Sequence, residues 1–201
     1  MTRWDHSLRG FADAAAWFVA TVGQVGDRWG EPGLGEWDVR ALVGHTNRSF
    51  LTVESYLGQP AASVDVPSAT AYYVATSAIA AGPEVAQRGR DAGAALGDDP
   101  AAAVAEIAGR VVAFVGTHDG AEMLTTVAGG MRLADYLPTR TFELVVHGAD
   151  LCRALGLAPT PPDSAARQAL ELVAALAVER GRAGDLLLAA TGRPGPAFSV
   201  L

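Results

Sequence analysis

The stretch RTFELVVHGADL, from Arg140 to Leu151, constrains the fold of this 201-residue chain more than any other segment. It reads as the middle of an apolar helix, yet Glu143 and His147 interrupt it four residues apart. Each residue of a helix turns by about 100°, so these two side chains share one stripe with Asp150 and Arg140. The flanking positions are apolar nearly all round, which predicts a buried helix. An unpaired buried carboxylate costs several kcal/mol, and the polar stripe therefore needs a partner.

A divalent metal ion is the partner that this pair of side chains favours. A carboxylate and an imidazole at positions i and i+4 can reach the same ion, but catalytic zinc sites typically use three protein ligands. The third ligand must then come from another helix. Of the other histidines, His6 lies near the terminus and His118 lies in a Gly-flanked loop, whereas His45 lies inside a second long apolar helix. By elimination, His45 is the best candidate.

Simpler roles for the same residues remain open. His45 could be a core histidine bonded to a backbone carbonyl, and Glu143 with His147 could be an ordinary structural pair. Asp150 either hydrogen-bonds to a ligand histidine or forms a salt bridge along its helix. Arg140 is expected to pair with Glu143 or Asp150, and clamping of an anionic substrate is the alternative.

Composition narrows the classes of function. The net charge of −7 and the isoelectric point near 5.0 argue against a nucleic-acid partner, because phosphate binding needs a basic surface. All 15 basic residues are arginine, which together with the abundant Ala and Gly favours an actinobacterial source. The single cysteine, Cys152, permits no internal disulfide and favours a reducing cytoplasm. No run approaches the roughly 18 to 20 apolar residues of a membrane span, so we expect a soluble cytoplasmic protein without a membrane partner.

Apolar periodicity predicts a mainly helical chain. Helices are expected over residues 5–26, 38–58, 69–96, 99–116, 133–155 and 163–180. Asp38 and Asp163 are the expected N-caps of two of them, and Gly156 the expected stop of another. The Ala-rich helix should be interrupted near Gly82-Pro83, after a crossover loop over 59–68. The segment AEMLTTVAGG fits either a short strand or an extended loop.

Two units are expected along the chain. Residues 1–158 should form a metal-binding helical bundle, and residues 159–201 should pack on it as a short C-terminal appendage. Within this appendage, the apolar runs at 185–190 and 197–201 are separated by TGRPGP. This pattern predicts a short strand pair after the last helix.

The two polar helices resemble the signature helices of a known family. The segments GLGEWDVRALVGHTNRSFLTVESYL and RTFELVVHGADLCRALGL are similar to those of the mycothiol-dependent maleylpyruvate isomerase family, in the DinB-like superfamily. The resemblance covers roughly residues 8–158, and the two motifs occur in the family's order. It implies a DinB-like four-helix bundle that binds one divalent metal, usually zinc, through two histidines and a glutamate. Those ligands fall on His45, Glu143 and His147.

The resemblance also implies a thiol cosubstrate, mycothiol, the cysteinyl thiol of actinobacteria. A thiol bound to a metal ion loses its proton near neutral pH and can attack an electrophilic carbon of a small substrate. If the adduct collapses after bond rotation, the enzyme is an isomerase, and if the adduct persists, the enzyme is an S-transferase.

Other functions remain open on the same residues. Two histidines and a carboxylate also form the facial triad of non-haem iron enzymes. A metal-stabilised bundle that only binds a small molecule would need no catalysis at all. The oligomeric state is open between monomer and homodimer.

Overall fold

The computed structural model describes residues 2–80, 84–195 and 197–201. Its helices are α1 Arg3–Val22, α2 Val39–Leu57, α3 Ala69–Ala80, α4 Glu84–Ala94, α5 Pro100–Val115, α6 Leu133–Ala154, α7 Asp163–Glu179 and α8 Ala183–Ala190. Its strands are β1 Pro32–Leu34, β2 Trp37–Asp38, β3 Met123–Thr126 and β4 Gly129–Arg132. They form two antiparallel pairs, β1 with β2 and β3 with β4. The predicted mainly α class is confirmed.

Four long helices, α1, α2, α5 and α6, form the bundle. Helices α1 and α2 each pack against both α5 and α6, so the four close around a shared core. Phe50 of α2 meets Phe11 and Phe18 of α1 across this core, with ring centroids 5.9 and 6.4 Å apart. All three rings are fully buried, and each contributes about 1.5–3 kcal/mol of hydrophobic stabilisation. The expected four-helix bundle is therefore confirmed.

Side-chain caps begin three of the bundle helices. The Thr2 hydroxyl accepts a hydrogen bond from the Asp5 N–H, and the Asp5 carboxylate accepts one from the Thr2 N–H, which together form a capping box at α1. Asp38 accepts a bond of 2.7 Å from the Ala41 N–H, so the predicted cap of α2 is confirmed. Asp99 caps α5 in the same way, ahead of a proline in the first turn. These bonds satisfy N–H groups that have no partner inside their own helix.

Helix α6 tolerates a proline in its second turn. Pro138 lacks the N–H that would otherwise bond to the Ala134 carbonyl four residues earlier. The Ser7 hydroxyl of α1 donates to that carbonyl oxygen instead, at 3.4 Å. The helix continues to Ala154, and Gly156 follows with a φ of +68°, a conformation that glycine adopts without steric cost. The predicted glycine stop is confirmed.

The strand pair predicted over residues 185–190 and 197–201 is wrong. Residues Ala183–Ala190 form α8, and residues 197–201 have no regular secondary structure. Both two-stranded sheets of the described residues consist of other segments, and residues 183–190 instead satisfy their backbone groups within a helix. Leu and Ala favour that helix, and Asp185 in its first turn pairs with Arg182 at 2.5 Å.

Helix α7 differs from prediction at its first residue. Pro162 occupies the N-cap position with extended backbone, and Asp163 is the first helical residue rather than the cap. The carboxylate still lies in the first turn, where the helix dipole favours a negative charge. Helix α7 packs against α1 and α6, and its Ala165 and Leu176 are fully buried in the same core.

The remaining predictions concern the connections between helices. Residues 59–68 contain no helix or strand beyond one isolated bridge at Pro60, as expected for a crossover loop. The 121–130 segment contributes residues to β3 and β4, so of the two predicted alternatives the strand is confirmed. The interruption predicted near Gly82-Pro83 lies outside the described residues. Within the described part of the chain, no helix combines the length and the apolar character that crossing a bilayer demands.

Candidate metal centre

Helices α2 and α6 bring His45, Glu143 and His147 together in the wall of a cleft. One nitrogen of each histidine and one oxygen of Glu143 all lie within 4.8 Å of one another. Nε2 of His147 is 3.3 Å from Oε2 of Glu143. The rings of His45 and His147 meet edge to face, with centroids 5.1 Å apart. The structure thus brings together the three residues that the sequence singled out on two separate helices.

The chemistry of this donor set suits a divalent ion such as zinc. A tetrahedral ion with bonds of about 2.0–2.1 Å holds neighbouring ligand atoms about 3.3 Å apart, which matches the His147–Glu143 separation. Nδ1 of His45 is buried and has no hydrogen-bond partner among the described residues. In the simpler core role, a backbone carbonyl would accept a hydrogen bond from the histidine ring, and Nδ1 makes no such bond. The residues present therefore fit a metal ion.

Asp150 contacts His147 on the opposite side of its ring. Its Oδ2 lies 3.2 Å from Nδ1 of His147, while Nε2 of the same ring faces Glu143. A carboxylate on one imidazole nitrogen fixes the ring orientation and makes the other nitrogen a better ligand. The helical spacing that places these three residues on one stripe therefore also orients the histidine.

Burial and charge separate the pKa values of the cluster. Burial, and then the nearby His147, lower the pKa of His45 to about 4. Burial also acts to lower the pKa of His147, but hydrogen bonds to Asp150 and Glu143 outweigh it and raise the pKa to about 9. Burial opposes ionisation of Glu143, yet its bond to His147 and the charge of Arg140 lower the pKa to about 2. Without a metal, the cluster at neutral pH combines a neutral His45, a protonated His147 and an ionised Glu143.

Arg140 makes different contacts from those expected. Among the described side chains it forms no ion pair with Glu143 or Asp150. Its guanidinium carbon lies 5.0 Å from the ring centroid of Tyr136 and 5.6 Å from that of Tyr72, which are cation–π contacts. Aromatic rings on α3 and α6 thus take the place of the predicted carboxylate partner. The Arg140 charge still helps to lower the pKa of Glu143.

Two aromatic residues near the cluster were not predicted. The Tyr73 hydroxyl donates to Oε1 of Glu143 at 2.5 Å, and burial followed by the Glu143 charge raises the pKa of Tyr73 well above its ordinary value. The Trp37 ring lies 4.5 Å from the His45 ring, and its Nε1 donates to the Ala86 carbonyl. The adjacent tyrosines at 72 and 73 were a possible signal, because they stand out in an otherwise small-residue helix.

The cluster faces a cleft with a volume of about 600 Å³. The arginines that line it are Arg48, Arg88, Arg140 and Arg180. Among the described residues of the lining, Glu143 supplies the one carboxylate side chain. The cleft is therefore positively charged in a chain whose net charge is −7.

Fold and cleft together define a four-helix bundle with a candidate metal centre. The chain belongs to the mycothiol maleylpyruvate isomerase family, because the N-terminal domain of mycothiol maleylpyruvate isomerase matches residues 8–152. The matched range contains α2 and most of α6, and so all three residues of the cluster. Comparisons with curated proteins and with solved structures found no match. The family expected from the two signature helices is confirmed.

Proposed function

We propose that the protein is a metal-dependent enzyme that uses mycothiol as cosubstrate on a small electrophilic substrate. The reaction is either isomerisation through a thiol adduct or transfer of the thiol. The observation that carries this proposal is the convergence at a cleft of His45, Glu143 and His147, all three within the matched residues. These residues would hold a divalent ion, with zinc the favoured metal. When bound, the ion would lower the pKa of the thiol so that thiolate forms near neutral pH.

The ligand count supports catalysis rather than a purely structural metal. Structural zinc sites are closed by four protein ligands, whereas catalytic sites use three and leave one position open. The cluster offers three, and the adjoining cleft has room for a thiol and a small substrate. Asp150 would keep His147 oriented toward the ion through its bond to Nδ1.

The arginines support an anionic electrophile. The guanidinium groups of Arg48 and Arg180 form no hydrogen bond or ion pair with the described residues, and Nε of Arg180 is buried without a partner. A buried donor without an acceptor costs about 1–3 kcal/mol. Guanidinium groups recognise carboxylates through paired hydrogen bonds. Together with Arg140, these residues would bind a carboxylate or another anionic group of the substrate.

Further parts of the proposal concern organisation and location. We assign residues 1–158 to the metal-binding unit and residues 159–201 to an appendage that supplies Arg180 and Leu201 to the cleft. Use of mycothiol would place the protein in an actinobacterial cytoplasm.

Metal analysis followed by calorimetric titration with mycothiol tests the function. We expect about one divalent ion per chain, and loss of both metal and thiol binding in His45→Ala, Glu143→Ala and His147→Ala. The control is His118→Ala, because this half-buried histidine lies at a bend after α5, outside the cleft. Undiminished stoichiometric metal in the three cluster variants would refute the site.

The same donor set also supports a second candidate, a non-haem iron enzyme. Anaerobic loading with iron, followed by addition of oxygen, distinguishes the two. Turnover that needs oxygen but no thiol would favour the iron enzyme. Turnover by zinc-loaded protein that needs thiol but no oxygen would favour the first proposal. A bundle that binds metal but shows neither turnover nor thiol binding would be a non-catalytic protein.

A further inference from the structure

Tyr73 reaches the candidate metal centre from α3, outside the two helices that supply its ligands. Its hydroxyl lies 2.5 Å from Oε1 of Glu143 and 3.2 Å from the Thr139 carbonyl oxygen, and its single proton goes to the shorter contact with the charged carboxylate. The other carboxylate oxygen, Oε2, lies 3.3 Å from Nε2 of His147. The two oxygens of Glu143 therefore have different neighbours, one a tyrosine hydroxyl and the other the histidine cluster.

The Tyr73 side chain is held firmly where it makes this contact. Its ring packs edge to face against Phe142 of α6, with centroids 5.3 Å apart, and against Tyr72 at 5.7 Å. The residue is only 8 % exposed, and Phe142 only 2 %. The Ser68 hydroxyl accepts a hydrogen bond from the Ala71 N–H and so caps the first turn of α3. A ring fixed by packing on both sides directs its hydroxyl to one oxygen of Glu143.

We infer that Tyr73 is a positioning residue that limits Glu143 to a single metal–oxygen bond. A carboxylate can bind a divalent ion through one oxygen or through both. A hydrogen bond from a hydroxyl to an ionised carboxylate is short and about twice as strong as a neutral one, so Oε1 stays with Tyr73. Glu143 would then offer only Oε2 to a bound ion.

This inference rests on the proposed metal site and adds a reason for its open position. If His45, His147 and one oxygen of Glu143 held an ion, these three ligands would leave a position open for the thiol. If both Glu143 oxygens were bound, the second would occupy that position. The Tyr73 hydroxyl therefore acts on thiol binding without touching the thiol.

Cobalt(II) substitution in the Tyr73→Phe variant tests the inference, because four-coordinate cobalt absorbs visible light much more strongly than cobalt of higher coordination number. We expect intense absorption in the wild-type protein and at least a twofold loss in Tyr73→Phe, where Oε1 becomes free to bind. Mycothiol should bind the variant about tenfold more weakly, the scale on which residues that orient metal ligands act. Tyr72→Phe is the matched control, because it loses the neighbouring hydroxyl, which makes no bond to Glu143. Its cobalt spectrum should match that of the wild type.

X-ray absorption of the metal-loaded wild-type protein provides a second measurement that needs no variant. It should show one carboxylate oxygen on the ion. Two carboxylate oxygens, or identical spectra and thiol affinities for wild type, Tyr73→Phe and Tyr72→Phe, would overturn the role of Tyr73 while leaving the metal site intact. If the wild-type protein binds no stoichiometric cobalt, the proposed metal site fails and the inference fails with it.

Discussion

Metal binding at about pH 6 should release about one proton, and His147 is its expected source. In the metal-free protein the pKa of His147 is raised to about 9, whereas that of His45 is lowered to about 4 and that of Glu143 to about 2. At about pH 6, His147 is therefore protonated, while His45 is neutral and Glu143 ionised. A histidine must lose its proton before it can bind a metal, so one ligand of the three has a proton to lose.

The size of the effect follows from the pKa of His147. A pH of about 6 lies three units below about 9, so metal affinity should be about 1000-fold weaker there than above pH 9. This factor corresponds to about 4 kcal/mol. Between about pH 5 and pH 8 the logarithm of the affinity should rise by about one per pH unit, because one proton is exchanged.

Calorimetric titration of zinc into the metal-free protein, in buffers of different ionisation enthalpy, counts the released protons. A pH of about 6 is suitable because water on a protein-bound zinc ion has a pKa of about 7 and keeps its proton. At about pH 7.5 the Asp150→Asn variant should release fewer protons than the wild type, since it loses the bond that most raises the pKa of His147. At about pH 6, a count near zero, or a count near two that includes His45, would refute the reasoning.

Three further predictions concern stability. The metal-free protein should be most stable near about pH 6.5. The pKa of His147 is raised to about 9, so its stabilisation is complete below its ordinary pKa and is lost as pH rises through 9, by up to about 3 kcal/mol. The pKa of His45 is lowered to about 4, so its protonation reduces stability as pH falls from 6.5 to 4. Urea unfolding across this range measures the effect, and a flat profile would contradict it. Phe50→Ala should lower the free energy of unfolding by about 3–5 kcal/mol, because it leaves a cavity beside Phe11 in a fully buried core. A loss under about 1 kcal/mol would show that the core does not pack around this ring. Asp38→Ala should cost about 1 kcal/mol through loss of the α2 cap, and Asp38→Ser, which can still cap, should cost less in the same assay.

The bundle helices could be predicted because their signals are local. Apolar periodicity indicated α1, α2, α5 and α6, and Asp38 and Gly156 marked the start of α2 and the end of α6. The strand pair predicted for the C-terminal segment rested on the same kind of local evidence and was wrong. The apolar run at 185–190 is too short for periodicity to separate a strand from a helix, and whether another strand pairs with it is decided by the tertiary structure.

The residues of the candidate site also differ in whether local sequence signals could bring them together. Glu143, His147 and Asp150 lie on one stripe of one helix, so the helical repeat alone placed them together. His45 lies about one hundred residues earlier, and elimination together with the family's paired motifs linked it to the other two.

The sequence by itself determined the helical class, the family and the three residues of the cluster. Only the tertiary structure decided that Tyr73 bonds to Glu143, that Arg140 lies on tyrosine rings, and that Arg180, directly after α7, reaches the cleft. The physical reason is the distance along the chain over which each kind of interaction acts. Periodicity and capping act within a few turns of one helix, whereas these contacts depend on which helices are neighbours and how each is rotated about its axis.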